Sequence, residues 1–495
     1  MSGVWKRSQG RTSEAPPDER GGNRYVRPTA TAPHSDSTPP NAVPGNLVIT
    51  DQGGISLDLD GALPGFIEAV TAIFDGQASV AENSIQGILT DTVNHVLLLR
   101  PLRIGGNVTQ FPRERFFASA CLVADDPFSH SSTLLKFFKL EINLGFEEWM
   151  QLSSIAVSRK RGLVSTNYRQ RKELSYKVGD EMLFIKYDIE CPVISGTVNE
   201  RRVTLNEIAI LVYRLRKSAT LEEMQELYDF FQELFVLLTG SEYPLDWPAL
   251  YLGRERRRCK LYFYRIRAAV SPPTLVDLWT SFPMLQPSFG AIFSIWRWKR
   301  RTFGAGFYLY LGTRRGLRLY ADHHFINLIW GIETLHRRRH PTISEPPALK
   351  KKIDRILSQI SANRDRKWLR NQFRYEPSLE QRIFETFKNL PIALDEKRLK
   401  EFARSCAEKR NEISHFGGSR HGDTNLQETR ELQTKNEALA YLYHILLLHE
   451  IGIGSDWLKS FVYQGMQAYT IKKALFDAGL IDEGALKSTS SPLGA

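Results

Sequence analysis

From residue 45 the chain alternates apolar and polar positions in short runs broken by turn residues. "GNLVITDQGGISLDLDG" holds two such runs around Asp51-Gln52-Gly53-Gly54, which predicts a β-hairpin. "SIQGILTDTVNHVLLLRPL", "RFFASACLVAD", "LLKFFKLEINL", "ELSYKVGDEMLFIKYDIE" and "RRVTLNEIAILVYRL" continue with the period of two that puts alternate side chains on opposite faces of a strand. One helix closes this part. Thr220 and Glu223 have the spacing of a capping box ahead of "LEEMQELYDFFQELFVLLTG", and Gly240 is the stop. Residues 45–245 are therefore expected to form a β-rich, sandwich- or barrel-like domain.

From about residue 320 the period changes to three and four. "FINLIWGIETLHRRR", "LKKKIDRILSQI", "SLEQRIFETFKNL", "EKRLKEFARSCAEKRNEISHF", "LQTKNEALAYLYHILLLHEI" and "DWLKSFVYQGMQAYTIKKALF" each repeat apolar residues at helical spacing. Residues 320–480 read as an all-α bundle, which makes the fold class α+β multidomain. Between the two lies 246–319, where "RERRRCKLYFYRIR" and "SIWRWKRRTFGAGFYLYLGTRRGLRLY" alternate basic and aromatic residues, as a strand with one polar face does. That segment is expected to continue the β-rich part. Residues 1–44, rich in Pro, Ser, Thr and Gly, and 481–495 are expected to be tails without fixed structure. The chain shows no internal repeat.

Composition narrows the class. The opening residues lack the apolar core of a secretory signal, and no run reaches the roughly eighteen apolar residues that a membrane span needs. The longest apolar stretch, "ALAYLYHILLLHEIGI", contains two histidines and suits a buried helix. A cytoplasmic protein without membrane contact is expected. Cys121, Cys191, Cys259 and Cys406 are too far apart in sequence for a metal knuckle and read as reduced thiols.

The net charge is +11, and residues 254–318 hold fourteen Lys and Arg against Glu255 and Asp277. One segment thus supplies the whole imbalance. Arg256, Arg257, Arg258, Arg297, Lys299, Arg300 and Arg301 are its candidate RNA contacts, where cations meet phosphate and aromatic rings stack on bases. The bland alternative is a solvated sheet face over an aromatic core.

One helix breaks its own pattern. In "EKRNEISHFGG" the core stripe Leu399, Phe402, Cys406 and Ile413 passes through position 410, which is an arginine. Asn411 and His415 are four apart and share a neighbouring face, and Gly417-Gly418 ends the helix. At a helix C-terminus the macrodipole favours an imidazolium. A histidine near neutrality beside a fixed guanidinium suits phosphate chemistry: one moves the 2′-hydroxyl proton, the other offsets charge on the phosphorane. The bland alternative is a surface histidine and an arginine paired within the bundle.

"RNEISH" resembles the R-[polar]-x-x-x-H motif of HEPN ribonucleases, with Arg410, Asn411 and His415 at its defining positions. "IETLHRR" is similar to the family's upstream E-x-x-x-[KR] motif, with Glu333 and Arg337 matching. The chain from 45 to about 480 resembles the ApeA-like anti-phage proteins, through "VPGNLVITDQGGISLDLDG", "IQGILTDTVNHVLLL" and "EEWMQLSS" as successive landmarks of their N-terminal domain. The resemblance implies a metal-independent RNA endonuclease without cofactor, homodimeric through its bundle. It implies RNA as substrate, products ending in a 2′,3′-cyclic phosphate and a 5′-hydroxyl, a phage-derived trigger, and translation arrest in infected cells. Glu333 and Arg337 would brace the catalytic set. The rival reading is a non-catalytic binding protein with a structural bundle for dimerisation.

Other candidate sites are weaker. His336 and His340 have metal-ligand spacing, but the arginines between them repel a cation and no third ligand is near in sequence. His323-His324 reads as structural. "GAGFYLYLG" is expected to lack the helix that a phosphate-cradling glycine loop needs.

Overall fold

The computed structural model describes residues 2–7, 42–63, 84–107, 113–128, 135–190, 204–253, 257–265, 270–314, 319–341, 346–372, 376–416 and 426–487. The chain divides into two compact units. The first comprises Met1–Gln232, Tyr243–Pro273 and Ser281–Gln286; the second Glu233–Glu242, Thr274–Thr280 and Pro287–Ala495.

The first unit is built on one antiparallel sheet. Its strands run in the order Leu174–Val178, Glu181–Glu190, Asn206–Ala219, Phe137–Asn143, Ala249–Leu252, Arg257–Phe263, Ala120–Ala124, His95–Leu99, Ser84–Leu89, Ser2–Arg7, Val43–Ile49, Ile55–Leu59, Arg113–Ala118 and Leu102–Asn107. A sheet this wide curls. Leu57 and Phe116, on adjacent strands, accordingly share a buried core with Ile85, Val96, Cys121 and Tyr262, whose strands lie three or more places away in the sheet. The expected hairpin pairs Ile49 with Ile55. Its turn needs Gly53, whose φ is +78° and where a Cβ would fall 1.8 Å from the Phe263 carbonyl oxygen. The capping box is present: Glu223 accepts from the Thr220 amide at 2.7 Å, and Thr220 Oγ1 accepts from the Glu223 amide at 3.3 Å.

Three expectations are corrected. Ser2–Arg7, placed in the disordered tail, is a strand between Val43–Ile49 and Ser84–Leu89. Pairing there uses main-chain groups, which composition does not report. In the other tail, Glu483–Lys487 is a short helix. The third concerns 246–319. Ala249–Leu252 and Arg257–Phe263 are strands, but Phe289–Phe303 and Ala305–Arg314 are helices of the second unit. "GAGFYLYLG" is thus itself helical. "WRWKRR" alternates, yet only Trp296 is buried, while Trp298 is 64% exposed. Phe289, Ile292, Phe293, Trp296 and Phe303 form a stripe at three and four, and burying each such side chain contributes roughly 1.5–3 kcal/mol.

The second unit is helical, and a central helix, Ala321–Arg339, organises it. It packs against Phe289–Phe303, Ala305–Arg314, Leu379–Phe387, Glu396–Phe416 and Leu426–Glu450. At one crossing two glycines let backbones touch. A Cβ on Gly306 would lie 2.8 Å from the Gly331 carbonyl oxygen, and one on Gly331 would lie 3.1 Å from that of Gly306. Tyr443 donates its hydroxyl to the Gly306 carbonyl at 2.9 Å, pinning Leu426–Glu450 to the same point. Ala438–Leu448 is largely buried, as expected for this apolar helix. Among the described residues no helix is long and apolar enough to cross a membrane. Cys121, Cys259 and Cys406 are free and buried, and burial pushes the Cys406 and Cys259 thiols up to about 12. Cys191 lies outside the described residues.

A buried histidine ties the unit together. His444 stacks on Trp279 with ring centroids 3.9 Å apart. Its Nε2 donates to the Leu237 carbonyl at 2.9 Å, so that nitrogen carries the proton and Nδ1 accepts from the Tyr310 hydroxyl at 2.5 Å. Burial holds its pKa well below the ordinary 6.5, with Arg314 acting the same way. The unfolded chain therefore binds a proton that the folded chain refuses. His444 contributes its full stability above pH 6.5 and loses it progressively below. The expected outcome is a melting temperature that falls as pH drops below 6.5, with the His444 ring still neutral in histidine-labelled NMR spectra. A ring that titrates at its ordinary pKa in the folded protein would contradict this.

Candidate active site

The two sequence motifs meet on neighbouring helices. Glu333 and Arg337 lie one turn apart on the central helix, and Arg410 lies on the motif helix, Glu396–Phe416, packed against it. The stripe that carries Arg410 is buried at Leu399, Phe402 and Cys406. At position 410 it reaches the edge of the core, where the arginine side chain is 25% exposed.

Glu333 is the hub. Its Oε1 accepts from Arg337 at 3.1 Å and from Arg382 at 3.1 Å, while its Oε2 faces the Arg410 guanidinium at 3.8 Å. Arg382, on Leu379–Phe387, is buried and bonded at every nitrogen. Nε donates to the Pro377 carbonyl at 3.0 Å, Nη1 to Glu333, and Nη2 to Glu376 at 2.8 Å. Arg337 also reaches Glu376, at 3.4 Å. Ser378 caps the helix that presents Arg382, accepting from the Gln381 amide at 3.1 Å.

Arg410 is bound more loosely. It donates to Asn411 Oδ1 at 3.1 Å, its contact with Glu333 is longer than a hydrogen bond, and its buried Nε has no partner. Three arginines face two carboxylates, so the cluster keeps a positive balance that suits an anion. Asn411 is exposed beside Arg410. His415 is part of the same helix, which stays α-helical through Phe416; its side chain lies outside the described residues.

His336, on the inner face of the central helix, bonds Glu385 through Nε2 at 2.9 Å. Burial lowers its pKa, and the Glu385 carboxylate opposes that shift. Its ring lies 4.7 Å from that of His340. Among the described residues no three His, Cys, Asp or Glu side chains come together as a metal site.

The candidate RNA contacts are divided between the two units. Arg257 and Arg258 belong to a strand of the first unit, where Arg257 donates to the Pro127 carbonyl at 3.3 Å and Arg258 stands 3.9 Å from Glu141. Arg297, Lys299, Arg300 and Arg301 belong to a helix of the second unit. Lys299 is paired with Glu450, and Arg300 is held by both oxygens of buried Glu233. Those two are structural cations rather than a presented surface. Arg256 lies outside the described residues. Arg265, from the same basic segment, is also internal. It is buried, donates to the Leu245 carbonyl at 2.6 Å and stacks on Trp247 at 3.5 Å.

Sequence reasoning missed Arg382 and Glu376. Arg382 directly precedes Ile383 in the stripe Ile383–Phe387, and an arginine beside such a stripe is the signal that was there to find.

Two family models match the sequence: Apea-like HEPN over residues 326–456, and ApeA N-terminal domain 1 over residues 33–296. Glu333, Arg337, Arg410, Asn411 and His415 all fall inside the first match. No curated protein and no solved structure matches.

The two arginines should separate in a stability measurement. Arg382→Gln leaves Glu333 without its buried partner and is expected to cost about 3 kcal/mol in chemical denaturation. Arg410→Gln, at a long and partly exposed contact, is expected to cost under about 1 kcal/mol. Equal costs would mean that Arg382 is not the anchor.

Proposed function

We propose that this chain, which belongs to the ApeA-like HEPN family, is a metal-independent endoribonuclease that cuts RNA in phage-infected cells and so arrests translation. It works in the cytoplasm, as a homodimer through its bundle, and answers to a phage-derived trigger. The observation that carries the reading is the convergence on Glu333, which sets Arg410 next to the E-x-x-x-R pair with a free donor and a positive balance.

The reaction is a transesterification. The 2′-oxygen attacks the adjacent phosphorus as its P–O5′ bond breaks; His415 either takes the 2′-hydroxyl proton while water protonates the leaving 5′-oxygen, or gives its proton to that oxygen while water takes the one from the 2′-hydroxyl. The products are a 2′,3′-cyclic phosphate and a 5′-hydroxyl. Charge grows on the non-bridging oxygens as the phosphorane forms, and Arg410 meets it there. Asn411 orients the phosphate or the imidazole. Glu333 and Arg337 brace Arg410, and Arg382 fixes Glu333 in turn. Arg256, Arg257, Arg258, Arg297 and Arg301 are carried into the reading as contacts along the RNA backbone.

Purified protein incubated with total RNA in EDTA tests the reading, with the new ends mapped. Cleavage is expected to persist. His415→Ala is expected to lower the rate by about 10²–10⁴-fold and Arg410→Ala by about 10²–10³-fold, with circular dichroism unchanged. A folded variant of either that cuts at the parent rate overturns the assignment. Activity lost in EDTA and restored by one divalent ion replaces it with a metal-assisted mechanism.

A second test asks how one site is assembled. Five residues along a regular helix turn a position by about 140°, so Arg410 and His415 of one chain point apart. The helix stays regular through Phe416, which favours a site shared between two copies of the motif helix. Co-expressed Arg410→Ala and His415→Ala chains are expected to recover part of the activity, because one site of each mixed dimer is intact. A stable mixed dimer without recovery means that each chain builds its own site.

A further inference from the structure

Residues 155–168 form a two-stranded ribbon that is a sheet of its own. Ile155–Lys160 pairs with Leu163–Tyr168 in strict register, from Ile155↔Tyr168 to Lys160↔Leu163. Six pairs extend it by about 20 Å. Its turn is Arg161-Gly162, with φ of +42° and +81°, the primed geometry that matches strand twist. The root is clamped. Arg171 donates to Ser154 Oγ at 2.7 Å and pairs at 3.3 Å with buried Glu207, whose other oxygen accepts from the Ser154 amide. Beyond the root the ribbon is bare: Val157, Leu163 and Val164 are 62%, 67% and 62% exposed.

The charge on this ribbon has one sign. Arg159, Lys160 and Arg161 stand together at its tip, and Arg169 and Lys172 flank its root, with no acidic residue between Ile155 and Lys172. All five are exposed, and among the described residues no carboxylate pairs with them. This contrasts with Lys299 and Arg300, whose charges are neutralised inside the bundle. The register sorts the remaining side chains. Ser158 and Ser165 face each other on one side, and Val157 and Val164 lie on the other. Hydroxyls can donate to phosphate or a 2′-hydroxyl, and branched apolar groups can lie against sugars and bases.

We propose that the ribbon 155–168 is an RNA-gripping arm, its tip Arg159-Lys160-Arg161 seated on the phosphate backbone. RNA is favoured over a protein partner because the arm combines unpaired cations of one sign with hydroxyls. The proposal rests on the ribonuclease reading only for the choice of RNA as the polyanion.

The test uses the full chain carrying His415→Ala, so that the probe survives, and a fluorescent single-stranded RNA oligonucleotide whose affinity is measured across a salt series. Arg159→Gln, Lys160→Gln and Arg161→Asn are combined; Asn tolerates the left-handed turn position. Affinity is expected to fall on the order of tenfold or more at moderate salt. The slope of log affinity against log salt should shrink by about two, as three lost phosphate contacts dictate. An unchanged affinity and slope overturns the proposal. So does an unchanged slope accompanied by loss of protection in cells, which would assign the arm to a protein. Cleavage by the parent chain is measured in parallel: a chain that cuts RNA but binds it independently of the arm sinks only this proposal. A chain whose binding depends on the arm but which cuts nothing sinks only the ribonuclease reading.

Discussion

The bundle's chemistry depends on how one carboxylate is shared. Glu333 has two oxygens and three guanidinium neighbours, and it divides them unequally. Arg382 and Arg337 take the same oxygen at hydrogen-bond distance, which locks the carboxylate's orientation. Arg410 is left with the other oxygen at longer range. The result is an arginine placed by an electrostatic field but not saturated by it. A guanidinium fully bonded to protein would have little to offer a phosphate, and one without a counter-charge would not hold its position at the core's edge.

Formal charge and available charge are different quantities in this protein. The segment 254–318 holds the sequence's positive excess, yet Arg265, Lys299 and Arg300 use theirs internally, on a carbonyl, an indole ring and two carboxylates. The ribbon at 155–168 contributes fewer cations but presents them to solvent without partners. Electrostatic steering follows the unpaired set, because a charge already matched by a near neighbour produces little field at the distance of an approaching polyanion.

Much of this was legible in the sequence, and the failures have identifiable causes. Local hydrogen-bond signals survived intact: the Thr220–Glu223 box and the Gly53 turn depend on residues only a few positions apart. That Glu333 and Arg337 stand near the motif helix was implied by the family resemblance of two short motifs, and Glu333 lies 3.8 Å from Arg410. Phe289–Phe303 was misread because two tryptophans two apart imitate a strand, when only Trp296 faces the core. Arg382 sits beside the Ile383–Phe387 stripe, but the partner that gives it a role, Glu333, lies 49 positions away, where no local pattern reaches. Ser2–Arg7 pairs through its backbone, about which its composition is silent.

The contact between Gly306 and Gly331 is of another kind. Two polypeptide backbones meet there with no side chain between them, and Tyr443 seals the point. The Tyr443 phenol at the crossing is held neutral by burial, which raises its pKa, so the point carries no charge for salt to screen. It fixes the central helix independently of the charges on that helix. The crossing is therefore held by packing, while the arginines and glutamates around position 333 are held by the pairings they make with one another. A methyl group on Gly306 collides with the Gly331 carbonyl, and one on Gly331 crowds both the Tyr443 ring and the Gly306 carbonyl. Shape constrains the crossing, and charge constrains the cluster.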